Sequence, residues 1–258
     1  MTTAVQTAPM RSTRPYFAVL RAEARLFRRE PGSLFWVLVF PPLLLVILGS
    51  IPSFKKVDAG LGGVRLIDLY VPILVLIALV MIGLQTMPPV ITGYRERGIL
   101  RRMSATPVRP SALLSAQIAL NGAAALASVL ICLTVGRLAF GVALPRQAFG
   151  YALALLLTAA ASLSLGALVS ALARTAKMAQ ALGTGIFFPS MFCAGLWLPV
   201  KAMPDVMAHL VVLTPFGAAA GALDEAFAGD WPSWSHLGVL AAWAIVLSAA
   251  AGRWFRWE

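Results

Sequence analysis

An all-α polytopic membrane protein is the fold class this sequence predicts, and three observations carry it. Apolar residues make up 60% of the chain and charged residues 12%, where a soluble domain has about 45–50% and about 25%. Mean hydropathy is +0.84, and the apolar residues gather into six runs of membrane-spanning length, about 34–51, 69–93, 117–140, 148–172, 179–198 and 235–252. Placing alternate connections on opposite sides puts fifteen Lys/Arg on one side and six on the other. By the positive-inside tendency the basic side, which holds both termini, is cytoplasmic.

The chain divides into a cytoplasmic tail with an interfacial helix, 1–33, and a transmembrane domain, 34–258. Residues 1–14 are polar and read as disordered. In 15–30, Tyr16, Phe17, Leu20, Ala24 and Phe27 share one arc of a helical wheel, and Arg21, Arg25, Arg28 and Arg29 fill the next. Val19 and Leu26 break the pattern. The segment is either a helix lying on the inner leaflet or a basic flank of the first span. The 34–51 run has 18 residues, about 27 Å of helix against a hydrocarbon core of about 30 Å. That is span length, and the polar stretch before it exceeds thirty residues, which does not fit a signal peptide. Residues 52–68 form an outer loop.

In the second span Pro88-Pro89 is expected to kink or unwind the helix, since proline has no N–H to donate. The third span carries a cytoplasmic extension starting near Ser111. Residues 141–147 turn outside, and Arg174 and Lys177 mark a short inner loop before the fifth span, which contains Pro189. Residues 199–234 are irregular, with Lys201, Asp205, His209, Asp224, Glu225 and Asp230 among apolar stretches too short to span. Two short outer helices, 203–213 and 215–228, are expected there. Arg253, Trp254, Arg256 and Trp257 close the sixth span at the inner interface.

Several function classes lose support. No lysine follows a glycine, so the chain has no phosphate-binding loop and binds no ATP by that route. No catalytic residues and no metal ligands are assigned: His209 and His236 stand in unrelated contexts, and Cys132 and Cys193 lie inside apolar runs as small hydrophobes. The net charge of +11 is spread between apolar runs, not gathered on one domain, so nucleic acid is not an expected partner. No charge sits at mid-span, which disfavours a proton-relay carrier. The spans do carry Gln85, Thr86, Asn121, Ser128, Thr158, Ser162, Gln180, Thr184 and Ser190. These either bond between helices or line a path for an amphipathic molecule.

The most distinctive stretch is Tyr94–Pro110, which holds five arginines and one glutamate between two apolar runs. Ile99, Leu100 and Met103 are spaced for one side of a short helix, with arginines around the rest. The prolines at 107 and 110 are expected to stop it. The segment is either a loop that only fixes topology or a docking helix whose three exposed apolar side chains meet a cytoplasmic partner.

The run Arg95-Glu96-Arg97-Gly98-Ile99-Leu100-Arg101-Arg102, followed by Ala105-Thr106-Pro107-Val108, resembles the segment after the second span in ABC-2 type permeases, nearest to antibiotic-resistance exporters of the daunorubicin kind. The family usually has Thr where Ile99 stands. The resemblance covers nearly the whole chain and is most specific here and in 189–221. It implies six spans with an N-terminal interfacial helix and re-entrant outer helices between spans five and six. It implies that Arg95, Glu96, Arg97, Ile99, Leu100, Arg101, Arg102 and Met103 couple to a separate ATP-binding cassette subunit, which would hold ATP and Mg, with no cofactor in this chain. It implies a homodimer or heterodimer of permease subunits in a bacterial plasma membrane, effluxing a drug, antibiotic or other amphipathic molecule. The implied substrate path, between the second and fifth spans of paired subunits, makes Gln85, Thr86, Thr184 and Ser190 candidates. A lipid or glycan exporter of the same architecture, a polytopic membrane enzyme and a signalling or assembly protein are the alternatives. An enzyme would need convergent nucleophile, base or metal ligands inside the spans.

Overall fold

The computed structural model describes residues 14–58, 63–104, 110–200 and 203–254, nearly all of them helical. The expected disorder of 1–14 falls almost wholly outside these residues, as do Lys201, Arg256, Trp257 and the Ala105–Arg109 part of the basic stretch. Ten helices are named here: α1 Arg14–Phe27, α2 Pro31–Ser50, α3 Leu66–Glu96, α4 Ile99–Ser104, α5 Pro110–Phe140, α6 Ala148–Leu172, α7 Ala176–Cys193, α8 Asp205–Val212, α9 Pro215–Ala228 and α10 Trp234–Trp254.

Five of these, α2, α3, α5 (over Ala112–Phe140), α6 and α10, are long and apolar enough to cross a membrane. The expected fifth span, 179–198, is the 18-residue α7, which is too polar to pass the same test. Its Lys177, Gln180, Thr184 and Pro189 lower its hydropathy. Helices α8 and α9, together apolar enough, bend by 98° at their junction. Thr214 there caps α9 by accepting from the Gly217 N–H, and Pro215 takes the first helical position, where no N–H is needed.

The centre of the bundle is α3. Every residue from Val71 to Leu84 is buried, on all sides of the helix, whereas a lipid-facing helix would leave a face open. Around it pack α2 and α5 on one side and α6, α9 and α7 on the other, with α10 against α6 and α9. Helix α1 lies against α5.

The expected distortion at Pro88-Pro89 takes the form of a widened π-helical turn, Ile82–Thr86, closed by the Met87 N–H on the Ile82 carbonyl. The same device appears in α2, where Phe35–Val39 is π-helical one residue before Pro41-Pro42. Prolines leave carbonyls one turn back without a donor, and neighbouring helices meet them. Ser128 on α5 donates to the Val37 carbonyl, one turn before Pro41, at 2.7 Å; Ser162 on α6 donates at 2.7 Å to the Leu79 carbonyl, just ahead of the π-helical turn, and so ties α6 to α3 there. Gly166 and Gly183 press directly against the Gly83 and Leu84 carbonyls, leaving no room for a methyl group at either.

The loop between α2 and α3 contains a small antiparallel pair, Val57–Asp58 with Val64–Arg65, that the sequence reading did not foresee. Arg65 pins it: its guanidinium pairs with Asp68 at 2.7 Å and donates to the Phe140 carbonyl at the end of α5.

Candidate functional site: the coupling segment and the cavity above it

The basic stretch is not one helix. Helix α3 carries Tyr94, Arg95 and Glu96 as its last turn, and α4 restarts at Ile99. Gly98 stands between them at φ +65°, its N–H on the Arg95 carbonyl. That left-handed conformation is cheap for glycine and closes the helix. Pro110, expected to stop a helix, instead opens α5, the position where a missing N–H costs nothing.

The coupling candidates divide by direction. Arg95 turns inward, half-buried, and donates to the Ser170 and Ala173 carbonyls at the C-terminal end of α6. Glu96 accepts from the Ala176 N–H at 3.0 Å, capping α7 at its first residue. Two adjacent residues thus tie the base of α3 to both helices of the following hairpin, a cation at one helix end and an anion at the other, each favoured by the helix dipole. Arg97, Arg101 and Arg102 are exposed, and Arg102 donates back to the Arg97 carbonyl at 3.1 Å. The expectation of three exposed apolar side chains does not hold. Leu100 is 2% exposed and Ile99 is half-buried, because this face of α4 rests on the chain's own α3 and α5. The Met103 side chain lies outside the described residues.

Above this joint α2, α3 and α7 border an open-sided cavity of about 610 Å³, within the range of small-molecule sites. Of the four residues expected to line a path, Gln85, Thr86 and Thr184 line this cavity, together with Gln180. Gln180 Nε2 donates to Gln85 Oε1 at 2.5 Å, and Gln85 Nε2 to Thr184 Oγ1 at 3.4 Å, so Gln85 bridges α3 to α7. Facing these amides are Trp36 and Phe40 from α2 and Phe187 and Phe188 from α7. Ser190 is not part of it: it is buried and spends its hydroxyl on the Ile186 carbonyl of its own helix, 2.7 Å away. Sequence reasoning named Gln180 only as a span residue. Its spacing of four from Thr184 places the two on one face of a helix, the signal that would have joined them.

The family model for the ABC-2 type transporter matches residues 14–227. The chain belongs to that family. No curated protein matches it.

As an ABC-2 permease the chain is a multi-pass membrane transport subunit, and ABC-2 permease domains typically work with an ATP-binding subunit. The constellation nearest to an active site among the described residues is Ser233, His236 and Glu225, beside a pocket of about 290 Å³ at the α9–α10 turn. Its geometry is not that of a hydrolase. Ser233 Oγ at 2.8 Å and Glu225 Oε1 at 3.1 Å both approach His236 Nδ1, whereas the nucleophilic hydroxyl and the orienting carboxylate of a triad must use opposite nitrogens of the histidine base. Glu225 also takes the Ser233 N–H at 2.6 Å, so the group fastens the α9–α10 turn. No cluster of three His, Cys, Asp or Glu able to hold a metal occurs among the described residues.

Proposed function

We propose that this permease is the membrane half of an ATP-driven exporter that moves an amphipathic small molecule through the cavity between α2, α3 and α7, driven by a separate ATP-binding subunit docked on the cytoplasmic face of α4. The observation that carries the reading is the bond between Glu96 and the first residue of α7. Helix α7 is the one that presents Gln180 and Thr184 to the cavity, four and eight residues further on. A push on the α3–α4 corner therefore reaches the cavity wall through one hydrogen-bonded joint and about two helical turns. The π-helical turn at Ile82–Thr86 lies level with Gln85 and gives α3 a place to flex.

The cavity suits a molecule with a flat apolar body and a few polar groups. Its aromatic wall takes the body, and the Gln85–Gln180–Thr184 edge takes the polar groups. The shared amide network sits on the open side of α7, where Gln180 is exposed. Amide groups left facing hydrocarbon are costly, which supports a second permease copy over that face. The excess of basic residues on the α4 side supports a cytoplasmic position for the coupling segment and both termini.

The test is ATP-dependent uptake of fluorescent amphiphiles into inverted vesicles holding the permease and a co-expressed ATP-binding subunit. Gln85→Leu with Gln180→Leu removes the polar edge at nearly constant volume. Losing two hydrogen bonds of about 1 kcal/mol each predicts a fall in apparent affinity of roughly tenfold or more. Wild-type uptake in the double variant at matched expression would remove the cavity from the path.

A further inference from the structure

Glu23 sits on the apolar stripe of α1, not on its basic arc. Tyr16, Leu20, Glu23 and Phe27 recur at helical spacing, so a carboxylate occupies a position that otherwise faces the bundle. It is buried, 7% exposed. Its Oε2 accepts from the Tyr94 hydroxyl at 2.8 Å and from Gln117 Nε2 at 2.6 Å. Behind Gln117, Asn121 Nδ2 donates to the Gln117 carbonyl at 2.8 Å, and Asn121 Oδ1 is buried without a partner. Three elements meet at this one carboxylate: α1, the last turn of α3 beside Arg95 and Glu96, and α5.

Such a group is costly to keep charged. Among the described residues no cation pairs with it, and its Oε1 takes no hydrogen bond. The groups around it are the Tyr94 hydroxyl, with Arg97 beyond it on the α3 side, neutral Gln117 and Asn121 on α5, and Glu30, whose negative charge adds repulsion from the end of α1. Arg21 and Arg25 on α1 itself are exposed.

We propose that Glu23 is a positioning residue for coupling: a buried acid that fastens the base of the coupling segment to α1 and α5, takes a proton on Oε1 while fastened, and gives it up to water when the α3–α4 corner swings away. This deepens the coupling role proposed above and rests on it. Neither donor needs to leave when Oε1 is protonated, because both bond to Oε2. Burial pushes the carboxyl above the ordinary glutamate value of 4.5, and the hydrogen bonds from Tyr94 and Gln117 pull it only part of the way back. A group whose value is raised in one state binds protons more readily there. The fastened state is therefore favoured fully below the ordinary value, and the advantage fades as pH rises through the raised one.

Hydrogen exchange on the purified full-length permease in phosphatidylcholine nanodiscs, without any ATP-binding subunit, tests this. After correction for the intrinsic pH dependence of exchange, amides of Arg97, Gly98 and Arg102 should be several-fold better protected at pH 5 than at pH 8. Glu23→Gln keeps a neutral acceptor for both donors, so protection should stay at its acid level throughout. Tyr94→Phe cuts the link to α3 and should abolish the pH dependence at 97–102 while leaving it in α1. Three results would each overturn the proposal: no pH dependence in the wild type, pH dependence that survives in Glu23→Gln, or protection lost at all pH in Glu23→Gln. The last would mean that a permanent carboxylate, not an exchanging proton, holds the joint. Because the permease is measured alone, the docking of an ATP-binding subunit on α4 stands or falls separately.

Discussion

Close packing around α3 depends on single atoms. Gly166 and Gly183 rest on carbonyls of the π-helical turn, in the space that a side chain would fill. The reason is chemical: Pro88 and Pro89 strip donors from α3, and only glycine lets a neighbouring backbone come close enough to cover the exposed oxygens. Gly183→Leu should therefore cost about 1–3 kcal/mol of overpacking or more, seen as lower membrane levels and a lower unfolding temperature of the detergent-solubilised protein. A Cβ at Gly238 on α10 meets nothing within 4 Å, and the residue is exposed, so Gly238→Leu should behave as the wild type. Equal behaviour of the two variants would show that the α3–α7 crossing is looser than described. At this scale the sequence was half legible. Polar span residues could be named, and Gln85, Thr86 and Thr184 do share a cavity. Ser190 could not be separated from them, because a serine that bonds back to its own helix has the same sequence signature as one that faces a ligand. Glu23 was passed over although its place on the apolar arc marked it.

Among the elements, the N-terminal helix, the long helix through Pro88-Pro89 and the helix pair over 203–228 were legible as helices, since each rests on hydrophobic period or proline position. Sequence reasoning misjudged the basic stretch for a physical reason. Periodicity shows that Ile99 and Leu100 share a side of α4 but not whether that side meets a partner or the chain's own core, and Leu100 is buried within the permease. The outward surface is therefore arginine: Arg97, Arg101 and Arg102. Replacing Arg101 and Arg102 together by Lys keeps the charge but loses the planar, forked contact. Loss of one charge-assisted hydrogen bond is worth about 1.5 kcal/mol, or roughly tenfold in affinity for the ATP-binding subunit. Co-purification of the two proteins should fall accordingly, with unchanged permease levels. Leu100→Ser should differ in kind, costing about 2 kcal/mol or more of local stability and loosening α4 in the permease alone. Undiminished co-purification of the Lys pair would reduce these arginines to topology signals.

For the whole molecule, the unanswered packing lies along α7. Ala181 and Gly185 are exposed on it at a spacing of four, beside exposed Gln180. A small-residue stripe next to amide groups is poorly suited to lipid and well suited to a close helix crossing, where backbones approach and the amides find partners. The exposed side of α5 shows the contrast: Leu126 and Leu130 are both 56% exposed and carry no amide beside them, only the single hydroxyl of exposed Thr134 one turn on. If a second permease copy covers α7, a cysteine at Ala181 comes near its counterpart across a two-fold axis, within the 4.4–6.8 Å that a disulfide allows between Cα atoms. In a background with Cys132 and Cys193 changed to Ala, Ala181→Cys should give an oxidant-dependent species of twice the mass on non-reducing gels, from intact membranes. Leu126→Cys should not. The amide argument also predicts that Gln180→Leu with Gln85→Leu leaves the cross-link in place, because the small residues set the approach and the amides only require it to be covered. Cross-linking through Leu126 but not Ala181 would move the interface to α5 and leave the cavity open to lipid. Absence of any cross-link along 177–188 would make the transport unit a single copy of this chain or a pair joined elsewhere.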